Sequence, residues 1–409
     1  SDCTKIRGYA FYGGAGFTTF TVPASVTKVD RYAFQNCTDL ETLYWNAVDG
    51  EMAMLYKNNA NLNCFYGCNS LSEISFGEGV MTVPYNIGSQ LSSLTSVSIP
   101  ASVKWIRNNA FYNCVNLENV TIADGSILQS IGSEAFQTSG ITTISFPNTL
   151  TSLPSNAFSY CSNLTSITIP KTMTYIQGTA FMSCPALESI TVDAENTVYD
   201  TRSGLNALID TSTHVLLVGS KNSVIPDDVV AIADFAFYGS GITEIIIPGN
   251  VKTIGEQAFR ACASLTDLTI SDGVEVIKSY AFANCTALET LILPDSVTTV
   301  SGSAFYHCDA LQTVRLSGGL TNLADGAFNT CENLDTVYIE NAYAYTGATD
   351  VWALGWSLLH ATNVYVSASV YEDVNNTNDF LTDEANFTQP TGATVVEGRN
   401  YYLFIKKVS

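Results

Sequence analysis

One dipeptide recurs along this chain at an almost constant interval. Phe237, Phe259, Phe282, Phe305 and Phe328 follow one another at steps of 22, 23, 23 and 23 residues, and each is preceded by Ala. The same Ala-Phe pair occurs earlier, at Phe11, Phe34, Phe111, Phe136, Phe158 and Phe181. A fixed period between about 20 and 50 residues is typical of a solenoid, in which each unit buries its apolar face only against its neighbours. The chain is therefore predicted to be a repeat array.

Residues 265–287 show what one repeat contains. Residues 265–270 alternate apolar and polar side chains, which predicts a half-buried strand. Residues 271–273 are Ser-Asp-Gly and predict a turn, and residues 274–277 predict a second short extended piece. Residues 280–282, Tyr-Ala-Phe, are expected to form a helical or 3-10 turn that drives the Phe into the core.

The eleven cysteines follow the same period. Nine of them fall three residues after the Phe position, whereas Ser139 and Ser240 take that place in two repeats and Cys3 and Cys64 lie off the pattern. A position that accepts Cys or Ser is small and buried, and a free thiol packs there as a small hydrophobe. Side chains stacked in parallel are poorly placed for disulfides. We therefore expect unpaired thiols, none of them catalytic, at Cys37, Cys68, Cys114, Cys161, Cys184, Cys262, Cys285, Cys308 and Cys331.

The repeated frame L-x-x-I-x-I-P-x-S-V-x-x-I-x-x-x-A-F-x-x-C resembles the leucine-rich repeat of the BspA type, and it extends over roughly residues 5 to 340. That family occurs in surface proteins of host-associated bacteria and in some protozoan parasites. The resemblance implies a β-rich leucine-rich repeat solenoid of about 23 residues per coil, with short strands and helical or 3-10 turns. It also implies a non-enzymatic protein, extracellular or at the cell surface, that acts in binding or adhesion.

The period divides the chain into an array and a terminal region. Residues 1–340 predict about thirteen coils, two of them irregular, with Phe65 after Cys64 in one and Ile87 in the Phe position of the other. Residues 193–228 add two periods plus ten residues and predict a β-hairpin insertion.

Residues 341–409 lose the repeat and are expected to cap the open edge of the last coil, since exposed edges invite aggregation. A strand over residues 363–366, a helix over residues 369–384 and a terminal strand or hairpin over residues 395–408 are predicted within it. Ligand binding by Trp352 and Trp356 is the alternative to capping.

Charge and hydropathy exclude several classes of partner. The net charge of −21 repels phosphate backbones and anionic lipid surfaces, so nucleic acid is not expected as a partner. No apolar run of about 18 residues is present, and no membrane span is predicted. The first residues, Ser-Asp-Cys, lack the basic and apolar regions of a signal peptide, as a mature secreted fragment would.

The residue types that carry catalysis are sparse. The histidines His214, His307 and His360 are far apart in coil number, so a metal site or a Ser-His-Asp triad is not expected. His307 beside Cys308 is the one candidate for a Cys-His pair, but neighbours on a turn point apart. We predict no catalytic, metal or cofactor site. A polysaccharide lyase or hydrolase would need clustered charged groups on adjacent coils.

One group of oxygen ligands was considered separately. Asp193, Glu195, Asn196 and Asp200 are close in sequence but lack the regular spacing of a calcium loop. They are interpreted as solvated loop residues.

A candidate binding face comes from the residue between the last two apolar positions of each strand. In the first half of the chain these residues are Ser75, Ser98, Thr121, Ser145, Thr168 and Thr191. In the second half they include Ile246, Ile292, Arg315 and Tyr338, a composition typical of protein-binding patches. Strand propensity alone could also place β-branched residues there. Substituting Tyr338 and Arg315 together is expected to weaken binding without changing thermal stability.

A second outward stripe follows Ala-Phe directly: Tyr12, Tyr66, Tyr112, Tyr238 and Tyr306. Stacking between coils explains it, and carbohydrate stacking is the functional alternative.

The predicted function is recognition of a host or matrix macromolecule, a protein or extracellular-matrix ligand, by a monomer. A carbohydrate-binding or carbohydrate-processing surface component is the alternative, with a possible glycan ligand. A purely structural display role is a third possibility.

Overall fold

The computed structural model describes residues 3–52, 64–202, 204–324, 326–340, 361–367, 387–388, 392–396 and 399–406. Contacts divide the chain into two compact units, Ser1–Gly204 and Leu205–Ser409. Each unit stacks coils that contain one longer strand and one short strand. The predicted helix over residues 369–384 and Trp352, Trp356 and His360 lie outside the described residues.

In the first unit the longer strands form parallel sheets with the orders β2-β4-β6-β8-β10 and β12-β14-β16. Their apolar positions point into the core and the residues between them point outward, as the alternation predicts. These strands are β2 Thr19–Val22, β4 Thr42–Trp45, β6 Glu73–Phe76, β8 Ser96–Ile99, β10 Asn119–Ile122, β12 Thr143–Ser145, β14 Ser166–Ile169 and β16 Ser189–Val192.

The short strands of the first unit form a second set of parallel sheets, β1-β3-β5, β7-β9-β11 and β13-β15. They are β1 Lys5–Ile6, β3 Lys28–Val29, β5 Glu51–Met52, β7 Thr82–Val83, β9 Trp105–Ile106, β11 Ser130–Ile131, β13 Ser152–Leu153, β15 Tyr175–Ile176 and β17 Tyr199–Asp200.

The second unit begins with an antiparallel pair, β18 Ala207–Asp210 with β19 Val215–Gly219. This pair lies in the segment for which the sequence predicted a hairpin. Strand β19 then pairs in parallel with the first of the short strands, which follow in the order β19-β20-β22-β24-β26-β28. The short strands are β20 Ala231–Ile232, β22 Thr253–Ile254, β24 Val276–Ile277, β26 Thr299–Val300 and β28 Asn322–Leu323.

The longer strands of the second unit end in a mixed sheet. Strands β25, β27, β29 and β30 pair in parallel, and β33 then pairs antiparallel with β30. The strand predicted over residues 363–366 is present as β30. The strands are β21 Glu244–Ile247, β23 Asp267–Ile270, β25 Thr290–Ile292, β27 Thr313–Arg315, β29 Thr336–Ile339, β30 Asn363–Ser367, β31 Phe387–Thr388, β32 Ala393–Val396 and β33 Arg399–Lys406.

The Ala-Phe segments are turns, and the described residues contain no helix. In residues 278–285 each turn closes by a hydrogen bond three residues back, such as Ala281 N to Lys278 O at 3.2 Å. The backbone is left-handed on both sides of the pair, with φ of 57° at Tyr280 and 61° at Asn284. A helix cannot propagate through left-handed residues. The predicted helical or 3-10 turn is therefore replaced by consecutive tight turns.

The phenylalanines stack from coil to coil. In the second unit the ring centroids of Phe259 and Phe282 lie 5.0 Å apart with planes 5° from parallel, and those of Phe282 and Phe305 lie 5.3 Å apart. Phe282 is fully buried. The spacing follows the separation of hydrogen-bonded strands, about 4.8 Å. This phenylalanine stack forms the centre of the core in each unit.

The thiols form a second regular row beside the stack. Each donates a hydrogen bond to the carbonyl oxygen of the preceding coil's Phe position, as Cys262 does to Phe237 O at 3.0 Å and Cys285 does to Phe259 O at 3.3 Å. All eleven cysteines are free, and only Cys3 is exposed. Ser139 in the same position contacts Cys161 Sγ at 3.3 Å. The predicted unpaired, buried thiols are confirmed.

One coil departs from the sequence interpretation. Gly88, rather than Ile87, occupies the Phe position, because Gly88 N donates to Ala110 O at 2.7 Å and Gly88 O accepts from Cys114 Sγ at 2.8 Å. A Cβ on Gly88 would lie 2.7 Å from the ring of Phe111. The side chain of Ile87 is fully buried in its place. Hydrophobicity suggested Ile87, whereas the backbone hydrogen bonds define the register.

Candidate binding face

The predicted face residues of the second unit lie in one register row. Ile292 pairs with Arg315, Arg315 with Tyr338, and Tyr338 with Tyr365, across β25, β27, β29 and β30. Ile246 pairs with Thr269 in the separate sheet β21-β23. Parallel pairing without a register shift brings side chains that are 23 residues apart in sequence next to each other.

The members of this row differ in exposure. Ile246 exposes 65% of its surface and Ile292 exposes 52%, whereas Arg315 and Tyr338 are half-buried. An isolated exposed isoleucine is ordinary on a protein surface. The partial burial of Arg315 and Tyr338 shows that other residues pack beside them.

Three of the four predicted residues, Ile292, Arg315 and Tyr338, line a shallow pocket of about 160 Å³. Ile246 does not line it. The remaining lining residues are Thr290, Thr313, Val396 and Tyr401, and the last two come from the terminal strands β32 and β33.

An ion pair at the end of the row holds Arg315 in place. Its Nε donates to the carboxylate of Glu340, which exposes only 6% of its surface. The hydroxyl of Tyr401 donates to the same carboxylate oxygen at 2.6 Å. Arg315 is thus a structural as well as a surface residue, and the expectation that its removal leaves stability unchanged is not supported. A nearly buried carboxylate loses a partner when the guanidinium is removed.

Three tyrosines pack against one another next to this ion pair. Tyr338 and Tyr365 stack with centroids 4.8 Å apart, and Tyr401 meets Tyr338 edge-on at 5.3 Å. Tyr401 is buried, with 2% of its surface exposed. The rigid aromatic wall of the pocket is therefore built by residues from β29, β30 and β33.

Sequence reasoning missed Glu340, Tyr365, Val396 and Tyr401. Tyr365 was detectable in principle, because the strand predicted over residues 363–366 places it in the outward position of the row. Tyr401 and Val396 follow no repeat, so no period in the sequence connects them to Tyr338.

In the first unit the outward row consists of hydroxyl side chains, as predicted. Ser145, Thr168 and Thr191 are register neighbours, and the hydroxyls of Thr168 and Thr191 hydrogen-bond at 2.9 Å. Paired hydroxyls satisfy one another. This row offers little apolar surface to a partner.

The candidate Cys-His pair does not form. His307 Nδ1 lies 3.2 Å from Asp309 Oδ1, whereas Cys308 Sγ donates to Phe282 O. A hydrogen bond with Cys331, together with burial, raises the pKa of Cys308 well above its ordinary value. A protonated, buried thiol is not a nucleophile.

The other candidate ligands are likewise engaged elsewhere. Glu195 pairs with Lys171 at 2.7 Å, and the side chain of Asn196 bonds the carbonyls of Pro170 and Met173. Among the described residues no group of three or more His, Cys, Asp or Glu side chains is placed to hold a metal ion. In the same part of the chain no helix is long and apolar enough to cross a membrane.

The tyrosine stripe after Ala-Phe is only partly ordered by contacts between coils. Tyr280 and Tyr306 meet edge-on at 6.5 Å, and Arg260 lies over Tyr238 and Tyr280 at 5.8 and 5.4 Å. Tyr66 exposes 41% of its surface at the edge of a hollow of about 310 Å³ in the first unit. That hollow lies where Gly88 interrupts the phenylalanine stack, and its lining includes Asn36, Asn69, Ser89, Gln90, Ser92 and Ser93.

The model of the BspA type leucine-rich repeat region matches residues 1–87, 57–161, 89–203 and 220–348, in six copies. The chain belongs to the BspA-type leucine-rich repeat family. The resemblance seen in the repeated frame is thereby confirmed. Among curated proteins, none matches this BspA-type chain by sequence.

Solved structures agree on the fold of this BspA-type protein. The pneumococcal vaccine antigen PcpA is 17% identical, with 92% of this chain and 82% of PcpA covered and a TM-score of 0.57. A leucine-rich repeat protein from Eubacterium ventriosum is 20% identical, with 78% and 87% covered and a TM-score of 0.56. These likenesses show the leucine-rich repeat fold.

Proposed function

We propose that this BspA-type protein is a non-enzymatic binding protein, secreted or at the cell surface, that acts as a monomer and recognises a host or matrix protein through the second unit. The observation that carries the proposal is the pocket formed by Ile292, Arg315, Tyr338, Val396 and Tyr401. Tyr and Arg are enriched among the residues that dominate protein interfaces.

The size of the pocket favours a protein partner over a small molecule. Its volume of about 160 Å³ is below the roughly 300–1,000 Å³ of typical small-molecule sites. It suits a single apolar or aromatic side chain presented by a partner surface. Ile292, which is 52% exposed, extends the apolar surface beside it.

The electrostatics of the pocket favour the same partner class. Arg315 is already paired with Glu340, so the pocket offers no free cation to an anionic ligand. The guanidinium keeps further N–H groups for neutral acceptors such as peptide carbonyls. Recognition through aromatic contact and neutral hydrogen bonds is what this arrangement supports.

A surface location is supported by relatives rather than by this chain. The family occurs in surface proteins, and PcpA is described as a vaccine antigen. The rigid, regularly hydrogen-bonded coils of each unit suit display outside the cell.

The test is binding of the full chain to a panel of purified matrix proteins, measured beside a glycan array. Ile292→Ser should weaken binding to the recognised protein at least about tenfold, as loss of an interface anchor does. Ile246→Ser is the matched control, because Ile246 is equally apolar and more exposed but does not line the pocket. Equal effects of the two substitutions would reject the pocket as the binding site.

A carbohydrate ligand is the second candidate, and the hollow of about 310 Å³ in the first unit supports it. Its amide and hydroxyl side chains match sugar hydroxyls, and the exposed ring of Tyr66 suits stacking on a sugar face. Tight binding on the glycan array that Tyr66→Ala abolishes, without binding to any matrix protein, would favour this candidate. Binding to neither panel would favour a display role.

We further propose that residues 341–409 cap the array and that residues 193–228 form an inserted hairpin. Strand β30 covers the edge of β29 and is itself covered by the antiparallel β33. Without it, β29 would expose an unpaired edge. A chain ending at residue 340 is expected to aggregate and to lose cooperative unfolding of the second unit, whereas a monomeric, cooperatively folding truncation would refute the cap.

A further inference from the structure

A cationic and aromatic cluster lies on the short-strand sheet of the first unit. The guanidinium carbon of Arg107 lies 5.4 Å from the ring centroid of Trp105 and 6.0 Å from that of Tyr85. The ammonium of Lys104 lies 5.8 Å from the Trp105 centroid. We call Tyr85, Lys104, Trp105 and Arg107 the Arg107 cluster.

The backbone beneath the cluster is held firmly. Strand β9, which contains Trp105, lies between β7 and β11. Lys104 N donates to Met81 O at 2.8 Å and Arg107 N donates to Val83 O at 3.0 Å. Strands paired on both sides fix the origins of these side chains, so the cluster is preorganised.

Neither cation has a carboxylate partner. Among the residues that the structure describes, no ion pair or side-chain hydrogen bond involves Lys104 or Arg107, and the sequence of residues 53–63 contains no Asp or Glu. Asp49, in a neighbouring coil, instead accepts a hydrogen bond from Thr82, the register neighbour of Trp105. Two adjacent uncompensated cations are unexpected in a chain with a net charge of −21.

The geometry determines which chemistry the cluster can recognise. Since Arg107 stacks on two rings, its faces are covered and its N–H edge remains for a ligand. That edge matches the two oxygens of a carboxylate. The faces of Trp105 and Tyr85 that Arg107 and Lys104 cover are not open for stacking on a sugar. The long-range repulsion from the net charge opposes a polyanionic glycan.

We propose that the Arg107 cluster is a docking surface for a protein segment that presents one Asp or Glu side chain. Trp, Tyr and Arg are the residues most enriched at interface hot spots, and the pair of cations supplies the charge complement to the carboxylate. Binding would relieve the repulsion between Lys104 and Arg107. The surface is independent of the pocket in the second unit.

The test uses the full chain and an array of octapeptides in which every peptide with a single Asp or Glu has a matched Asn or Gln counterpart. The wild-type protein should bind a subset of the acidic peptides at least about tenfold more tightly than their amide counterparts. Arg107→Gln should abolish that preference. Arg107→Lys should lose most of it, because the charge remains but the planar fork does not.

Lys171→Gln is the matched control, since it removes one positive charge from the same unit at an exposed residue paired with Glu195. It should leave the preference intact, as should Ile292→Ser. An array without any carboxylate-dependent binding would overturn the proposal, and so would an equal loss in Lys171→Gln. Stronger binding of a sulfated disaccharide that competes at Arg107 would overturn the assignment to a protein segment.

Discussion

The hydroxyl of Tyr401 donates a hydrogen bond of 2.6 Å to the carboxylate of Glu340, across 61 residues of sequence. The same carboxylate accepts from Arg315. Strand β33 is thereby tied to the candidate binding face, so the terminal strands and the face share one polar network.

Arg315→Ala is expected to destabilise the second unit by about 1–3 kcal/mol, because it leaves a nearly buried carboxylate with one partner fewer. Chemical denaturation of the full chain measures the change. The double variant Arg315→Met with Glu340→Leu removes both charges and should be more stable than the sum of the two single changes by at least about 0.5 kcal/mol. Strict additivity would show that the two side chains do not interact.

Only Cys3 is expected to react with a thiol reagent in the folded protein. It is exposed, whereas the other ten thiols are buried. Burial raises the pKa of Cys161 to about 11 and that of Cys262 to about 12, so both stay protonated at neutral pH. Titration with an aromatic disulfide at pH 8 should count one fast thiol in the folded state and eleven in denaturant. Two or more fast thiols under native conditions would contradict the buried row.

Ala261→Gly is expected to leave stability unchanged or to raise it by up to about 1 kcal/mol. Ala261 has a φ of 61°, a left-handed conformation that costs a non-glycine residue about 1–2 kcal/mol. The flexibility that Gly adds to the unfolded chain returns about 0.5–1 kcal/mol of that.

Ala258→Gly is the matched control, because Ala258 is fully buried and is not left-handed. It should destabilise the protein by about 1–2 kcal/mol through the lost methyl contact and the added chain entropy. Urea unfolding of the two variants should move in different directions, and a loss of stability in Ala261→Gly equal to that in Ala258→Gly would be inconsistent with the turn geometry.

The contact between β29 and β30 is expected to weaken in acid. A hydrogen bond from Thr362, with further bonds from Thr336 and Asn363, lowers the pKa of Asp335 against the opposing effect of burial. A carboxyl group whose pKa is lower in the folded state stabilises the fold above its unfolded pKa, about 3.9, and loses that contribution as the pH falls through the folded value. Hydrogen exchange of the β30 amides between pH 5 and pH 2.5, corrected for intrinsic rates, should show the loss, and Asp335→Asn should remove its pH dependence.

The repeat was predictable because it depends on local spacing. The period of 23 residues places Phe259 over Phe282, and the alternation within each strand directs Ile292, Arg315 and Tyr338 outward. The free thiols followed from their constant offset. The helical turn was wrong because the sequence does not announce that Tyr280 and Asn284 adopt left-handed backbone.

The amino-acid sequence by itself determined the coil, its core and the row of outward residues, since these features repeat and each copy supports the others. Only the tertiary structure decided that Gly88 takes the Phe position, that Arg107 lies between two aromatic rings without a carboxylate partner, and that Tyr401 closes the pocket beside Tyr338. These contacts occur once, and no period relates their residues. They depend on which backbone segments the fold brings together.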